Sequence, residues 1–123
     1  MELNRELTKN EQQLITFLIS NSSVNISTNW NEGLLARPLD DGGMGSLYLL
    51  YKDSPLNNKR KFGKQASECQ FRDVDGVLVI ASLYLDEDGN LFELDMWKVD
   101  SSKLIKMPSH FEEIKWEDSV KDL

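Results

Sequence analysis

The first residues that could do chemistry are two carboxylates, Glu93 and Asp95, which stand two positions apart beside Trp97. They alternate with apolar residues along residues 91–99, and a period of two is typical of a β-strand with one apolar and one acidic face. The apolar members of this alternation are Phe92, Leu94 and Met96. Two neighbouring carboxylates can serve as a general acid and a general base. The plainer interpretation is a solvent-facing sheet surface, and a third is a docking surface for a basic protein, in which aromatic side chains act as anchors.

The acidic face should continue onto the preceding strand, in a way that depends on the strand register. If Asp88-Gly89 is a two-residue turn, Tyr84 lies opposite Glu93. Ser82 then lies opposite Asp95. A slip of one residue would change this grouping, because it sends every side chain to the other face. With the predicted register, one surface holds Ser82, Tyr84, Glu93, Asp95 and Trp97.

The turn itself is acidic, with the sequence Asp86-Glu87-Asp88-Gly89. This composition invites comparison with a calcium-binding loop, in which a glycine occupies the sixth position. That alignment places Tyr84 at the first position, where a carboxylate ligand is needed. The pattern therefore favours a hairpin turn, and we expect no metal site.

Other residue types that support catalysis do not assemble into a known motif. Cys69 and His110 are the single cysteine and the single histidine, and nothing in their local sequence indicates a nucleophile and its base. Residues 42–46, with the sequence GGMGS, lack the features of a phosphate-binding loop, a dinucleotide fingerprint and a nucleophile elbow. The sequence therefore predicts no enzyme activity and no cofactor.

Length and charge narrow the class of protein further. The chain has 123 residues, of which 40% are hydrophobic and 28% are charged, so we expect one globular domain over residues 1–123. The net charge of −7 argues against a nucleic-acid partner and favours a cationic one, although solubility explains it more simply. We expect no membrane segment, no signal peptide and a cytoplasmic location, since apolar runs are short and the N-terminus is polar. A single cysteine suits a reducing compartment.

The elements that must position these residues follow from capping, turn and periodicity signals. Thr8 and Glu11 form a capping-box pattern, which predicts a helix at about residues 9–20. Five strands are predicted, with an exposed loop at Asp53–Lys64 that holds the basic residues Lys59, Arg60, Lys61 and Lys64. The strands are Leu34–Leu39 and Ser46–Tyr51, which form a hairpin, and Ser67–Asp73, Val77–Leu85 and Leu91–Val99, which form a meander. A short apolar face follows at Phe111, Ile114 and Trp116.

The middle strand of the meander is apolar on both faces, which predicts a central strand covered on both sides. The fold class is therefore α+β, with an N-terminal helix packed on an antiparallel sheet of about five strands.

Three segments carry a family resemblance. They are Leu7–Glu11 (LTKNE), Asp41–Leu47 (DGGMGSL) and Asp88–Asp100 (DGNLFELDMWKVD). Together they resemble a family of small bacterial α+β proteins of unknown function, some of which resemble immunity proteins of polymorphic or contact-dependent growth-inhibition toxin systems. The resemblance implies a toxin partner and no catalytic residues.

The functional hypothesis is a protein that neutralises a toxin domain, which we expect to be basic, through an acidic and aromatic surface. The predicted contact residues are Tyr84, Asp86, Glu87, Asp88, Glu93, Asp95, Trp97 and Asp100. The alternative is a small regulatory or scaffold module that binds another protein without catalysis. A small enzyme with paired carboxylates ranks third, and the oligomeric state stays open.

Overall fold

The computed structural model describes residues 4–52 and 60–114. Its elements are β1 (Arg5–Glu6), α1 (Lys9–Ser20), β2 (Leu34–Pro38), β3 (Leu47–Tyr51), β4 (Phe62–Arg72), β5 (Leu78–Asp86), β6 (Leu91–Lys98) and β7 (Glu112–Glu113). The strands form one antiparallel sheet in the order β1-β2-β3-β6-β5-β4-β7, and α1 packs against β4 and β5. This arrangement confirms the predicted α+β class. Within the described ranges, no helix has the length and apolar character that crossing a bilayer requires.

The helix has the predicted bounds because its N-terminus is capped as the sequence indicates. The Thr8 hydroxyl accepts the Glu11 N–H at 3.1 Å, and the Glu11 carboxylate accepts the Thr8 N–H at 2.8 Å. Arg5 donates two hydrogen bonds to the same carboxylate, at 2.8 and 2.9 Å. Burial favours a raised pKa for Glu11, but the hydrogen bonds from Arg5 and Thr8 outweigh it and the pKa is lowered. The apolar side of α1 then buries Leu14, Ile15 and Leu18.

The sheet has seven strands, so the prediction of about five strands was too low. The predicted hairpin and meander are present as β2–β3 and β4–β5–β6, and β3 joins them by pairing with β6. The two additional strands, β1 and β7, have two polar residues each. Such short segments carry no alternation of apolar and polar residues, and so their sequences do not reveal them.

The first three residues of β4, Phe62–Lys64, lie in the segment that was predicted as an exposed loop. The strand pairs with β5 through two irregularities in register. A Cβ atom on Gly63 would collide with the backbone oxygen of Asp86, so this close approach requires glycine. Most of the predicted loop, including Lys59, lies outside the described residues.

A further irregularity, in the pairing of β5 with β6, changes which residue of β6 enters the core. Leu91 lies opposite Leu85 while Glu93 lies opposite Tyr84, which leaves Phe92 as an extra residue in the strand. Leu91 is 1% exposed and occupies the core, and Phe92 is half-buried outside it. The prediction that Phe92 shares the apolar face with Leu94 and Met96 was therefore wrong.

The C-terminal apolar residues close one end of the core. The Phe111 ring lies 5.7 Å from the ring of Phe17 on α1 and 6.0 Å from the ring of Phe71 on β4. The third predicted member of this face, Trp116, lies outside the described residues.

Candidate functional site

The side of the sheet opposite α1, here called the outer face, holds the predicted acidic and aromatic surface. Glu93 pairs with Tyr84 and Asp95 pairs with Ser82, as predicted. The connection is not the predicted two-residue turn at Asp88-Gly89, because the Asp86 N–H donates to the Asn90 backbone oxygen and Leu91 lies opposite Leu85. Trp97 follows on the same side of β6 and is 49% exposed. Ser82 is 6% exposed and so contributes little accessible surface.

A tyrosine of β3 completes this surface. Tyr48 lies opposite Glu93 in the β3–β6 pairing, so Glu93 is flanked by Tyr48 on one side and Tyr84 on the other. The Phe62 ring packs edge-on against Tyr84, with 5.3 Å between ring centroids. Tyr48 was not predicted as part of this surface, because its place there depends on the pairing of β3 with β6.

The two carboxylates of the outer face are held in an unfavourable charge environment. Burial raises the pKa of Glu93, and the neighbouring charge of Asp95 raises it further. The pKa of Asp95 is raised by burial and then by the charge of Asp41. Among residues 4–52 and 60–114, neither carboxylate forms a salt bridge or a hydrogen bond with another side chain. Glu93 and Asp95 therefore present negative charge that the described fold does not neutralise.

The acidic turn between β5 and β6 divides into a buried and an exposed part. Asp86 is 6% exposed, and its carboxylate accepts the Asp88 and Asn90 N–H groups at 2.9 and 3.0 Å. The other carboxylate oxygen accepts the Arg60 Nε–H at 2.9 Å. Asp86 thus shapes the turn and is not presented at the surface, whereas Glu87 and Asp88 are exposed.

Arg60 anchors this turn to the sheet. Its guanidinium donates to the Tyr48 hydroxyl and to the backbone oxygens of Leu49 and Leu91, at 2.8 to 3.1 Å. It also lies 4.9 Å from the ring centroid of Phe92. One member of the predicted basic cluster is therefore a structural residue.

Asp100 lies past the other end of β6, away from the acidic turn that precedes the strand. Its carboxylate accepts the Ser102 hydroxyl and N–H at 2.6 and 3.0 Å, and these bonds lower its pKa. The fold therefore brings together Tyr84, Glu93, Asp95 and Trp97, places Glu87 and Asp88 at one end of that group, and places Asp100 at the other.

The end of the outer face beyond Asp95 is apolar. Trp97 lies opposite Ile80, and the Val99 N–H donates to the Leu78 backbone oxygen at 3.0 Å. Leu78, Ile80, Trp97 and Val99 are here called the apolar end. Val99 is 41% exposed, and no described helix or strand packs over these residues. We predicted that β5 is covered on both sides. Within the described structure, α1 covers one side, and no helix or strand covers the outer face.

A family model described as "Domain of unknown function (DUF6984)" matches residues 4–108. The chain belongs to this family. The DUF6984 match includes β1 to β6 and the whole outer face, and it ends before β7. A search of curated proteins and a search of solved structures gave no match. Because the DUF6984 description states no function, the resemblance to immunity proteins stays a prediction.

The DUF6984 region also holds a charged cluster of Asp73, Asp75 and Lys98, here called the buried charged cluster after its two buried members, Asp73 and Lys98. Its third member, Asp75, is exposed, and the cluster was not predicted. Lys98 lies on the core face of β6 and is 0% exposed. Its Nζ donates to Asp73 at 2.8 Å, to Asp75 at 2.7 Å and to the Lys103 backbone oxygen at 3.0 Å. Burial favours a lower pKa for Lys98, but the two carboxylates outweigh it and the pKa is raised.

Asp73 ties the chain after β6 to the β4–β5 turn. Its carboxylate accepts the backbone N–H groups of Ile105 and Lys106 at 2.7 and 3.2 Å. Although burial alone would raise the pKa of Asp73, these bonds and Lys98 lower it to about 2. The single sequence signal for this cluster is a lysine at an apolar position of the β6 alternation.

Cys69 and the glycine-rich turn, which were considered for catalysis, have contacts that stabilise the fold. Cys69 is 0% exposed, and burial raises the pKa of its thiol to about 12, which suppresses the thiolate. In the glycine-rich turn, Asp41 accepts the Met44 and Ser46 N–H groups at 3.0 and 2.9 Å. Within the described residues, no group of three or more histidine, cysteine or acidic side chains could hold a metal ion.

Proposed function

We propose that this protein binds a basic protein partner through the outer face of its sheet, and that the partner is a toxin domain which it neutralises in the cytosol. The observation that carries the proposal is the position of Glu93 and Asp95. Both carboxylates lie beside aromatic side chains without a cationic partner among the described residues. A fold gains nothing from such a pair, because the charges repel each other and lose hydration. A cationic partner would relieve both costs.

The aromatic residues around the carboxylates suit the same role. Tyr48, Tyr84 and Trp97 offer large contact areas with little conformational entropy to lose, which is why such residues dominate binding energy at interfaces. The net charge of −7 favours rapid, salt-sensitive association with a basic protein. The toxin assignment rests on the resemblance of three sequence segments to immunity proteins, and the binding face supports it without specifying it.

The test is a pull-down from the source cells with the tagged protein as bait, performed at low and at high salt concentration. The basic protein retained at low salt is then expressed alone and together with this chain. We expect growth arrest in the first case and protection in the second. A partner that binds but is harmless when expressed alone would replace the toxin assignment with a regulatory or scaffold role.

Charge reversal tests the location of the binding face. The double variant Glu93→Lys/Asp95→Lys should lose protection and weaken binding by roughly a hundredfold or more, since it replaces attraction with repulsion. The matched control is Glu32→Lys, a charge reversal at an exposed loop residue that precedes β2. Unchanged affinity in the double variant, with its circular dichroism spectrum intact, would show that the partner binds elsewhere.

A further inference from the structure

We infer that the occupant of the outer face is a helix of the partner that lies along β6, with a basic half over Glu93 and Asp95 and an apolar half over Trp97 and Val99. This inference rests on the proposed protein-binding function and names the kind of segment that binds.

The outer side chains along β6 change from acidic to apolar. Glu93, Asp95, Trp97 and Val99 follow one another on the outer face, so two acidic positions are succeeded by two apolar positions. On β5, Ile80 lies opposite Trp97 and Leu78 is bonded to Val99, so the apolar end extends across two strands. A complementary segment must therefore be basic in one half and apolar in the other, along a single line.

The spacing of these side chains suits a helix. Residues two apart on a strand are about 6.7 Å apart, and one turn of an α-helix rises about 5.4 Å. A helix parallel to β6 thus presents roughly one turn to each of the four positions from Glu93 to Val99. The distance of about 20 Å corresponds to some 13 helical residues. The opposite face of the same sheet already binds a helix of similar length, since α1 has 12 residues.

Synthetic peptides test this inference without knowledge of the natural partner. The probe is an 18-residue, alanine-based helical peptide with lysines on one face of its first half and leucines on the same face of its second half. Two controls keep its length, one with glutamate in place of lysine and one with a central proline that breaks the helix. Binding to the full chain is followed by fluorescence anisotropy of a label on the peptide.

We expect the lysine peptide to bind at least roughly tenfold more tightly than either control, because charge and helical shape are both required. Trp97→Ala should weaken its binding roughly tenfold at every salt concentration, as expected for an apolar anchor. Glu93→Gln/Asp95→Asn should abolish most of the salt dependence. Glu32→Gln, at an exposed loop residue, should change neither property.

Equal binding of the lysine and glutamate peptides, or no effect of Trp97→Ala, would overturn the inference. So would a protein that binds zwitterionic lipid vesicles or a second copy of itself through Trp97 but ignores the peptide. A basic protein partner that requires Glu93 and Asp95, combined with a peptide that does not bind, would refute the helical occupant while leaving the proposed function in place.

Discussion

On the core face of β6 the Lys98 ammonium is fully enclosed and meets Asp73 and Asp75 at 2.7 to 2.8 Å. On the outer face of the same strand, Glu93 and Asp95 have raised pKa values and form no salt bridge with any described residue. The first cluster satisfies its charges within the fold, and the second leaves them unsatisfied. The difference indicates which charges stabilise this protein and which are available to another molecule.

The largest effect on stability should come from breaking the buried charged cluster. Asp73→Asn removes the carboxylate that Lys98 and the Ile105 N–H both contact. We expect a loss of about 3 kcal/mol in the free energy of unfolding, because a buried cation loses one of its two partners. Equilibrium unfolding in urea measures this change in the free energy of unfolding. A loss below about 0.5 kcal/mol, the range of ordinary surface substitutions, would contradict the difference drawn between the two faces.

The same cluster should make the protein sensitive to acid in a defined range. The pKa of Asp73 is lowered from 3.8 to about 2, so its stabilising contribution is complete above pH 4 and is lost as the pH falls toward 2. Thermal unfolding measured from pH 6 to pH 2 should show this loss, and Asp73→Asn should show less of it. An identical acid response in the variant would assign the response to other carboxylates.

Two aspartates at the β5–β6 turn allow the same comparison between a hydrogen-bonded and an exposed carboxylate that are two positions apart. Asp86 accepts two backbone N–H groups and the Arg60 guanidinium, whereas the Asp88 side chain is exposed. Asp86→Ala should cost about 2 kcal/mol, because it leaves these donors without an acceptor. Asp88→Ala, the matched control, should change stability by less than about 0.5 kcal/mol. Similar losses in the two variants would mean that the turn does not depend on the Asp86 hydrogen bonds.

The smallest effect should have the opposite sign. Because the folded state raises the pKa values of Glu93 and Asp95, their contribution to stability is favourable below their ordinary pKa values and is lost as the pH rises through the raised values. Glu93→Gln should therefore stabilise the protein at pH 7, by about 0.5 kcal/mol or less for a partly exposed group. Differential scanning calorimetry at pH 7 and pH 3.5 should show the gain at the higher pH alone. A destabilised variant would mean that Glu93 has a stabilising partner.

The sequence predicted the features that depend on neighbouring residues. The capping box specified both the start of α1 and its pairing of Thr8 with Glu11, because a few adjacent residues determine that turn of backbone. The predicted pairing of Tyr84 with Glu93 is also observed, although the turn is one residue longer than the predicted Asp88-Gly89 turn and the extra residue Phe92 compensates for it. The grouping of Tyr84, Glu93, Asp95 and Trp97 on the outer face follows from this pairing and from the alternation along β6.

Two of the three features that escaped prediction depend on distant residues, and the third depends on an irregularity within a hairpin. Strand β7 exists because Glu112 and Glu113 reach Gln70 and Cys69, and Lys98 is neutralised by residues more than twenty positions away. The displacement of Phe92 from the core arises from an extra residue in β6, which an alternating pattern cannot reveal. For β7 and for Lys98 the chain closes a long loop before the contact forms, and the sequence does not indicate which distant residues will pair.

The outermost strands, β1 and β7, have two residues each, and this brevity bears on self-association through strand pairing. A long free edge would expose a row of unpaired backbone groups that can template amyloid-like stacking with other chains. Here the part of β4 that β7 leaves uncovered begins with Phe62–Lys64, where the register is irregular and Lys64 adds charge. Irregular pairing and lysine are both known deterrents to intermolecular sheet growth. The fold thus combines an acidic and aromatic sheet face with edges that oppose strand pairing between molecules.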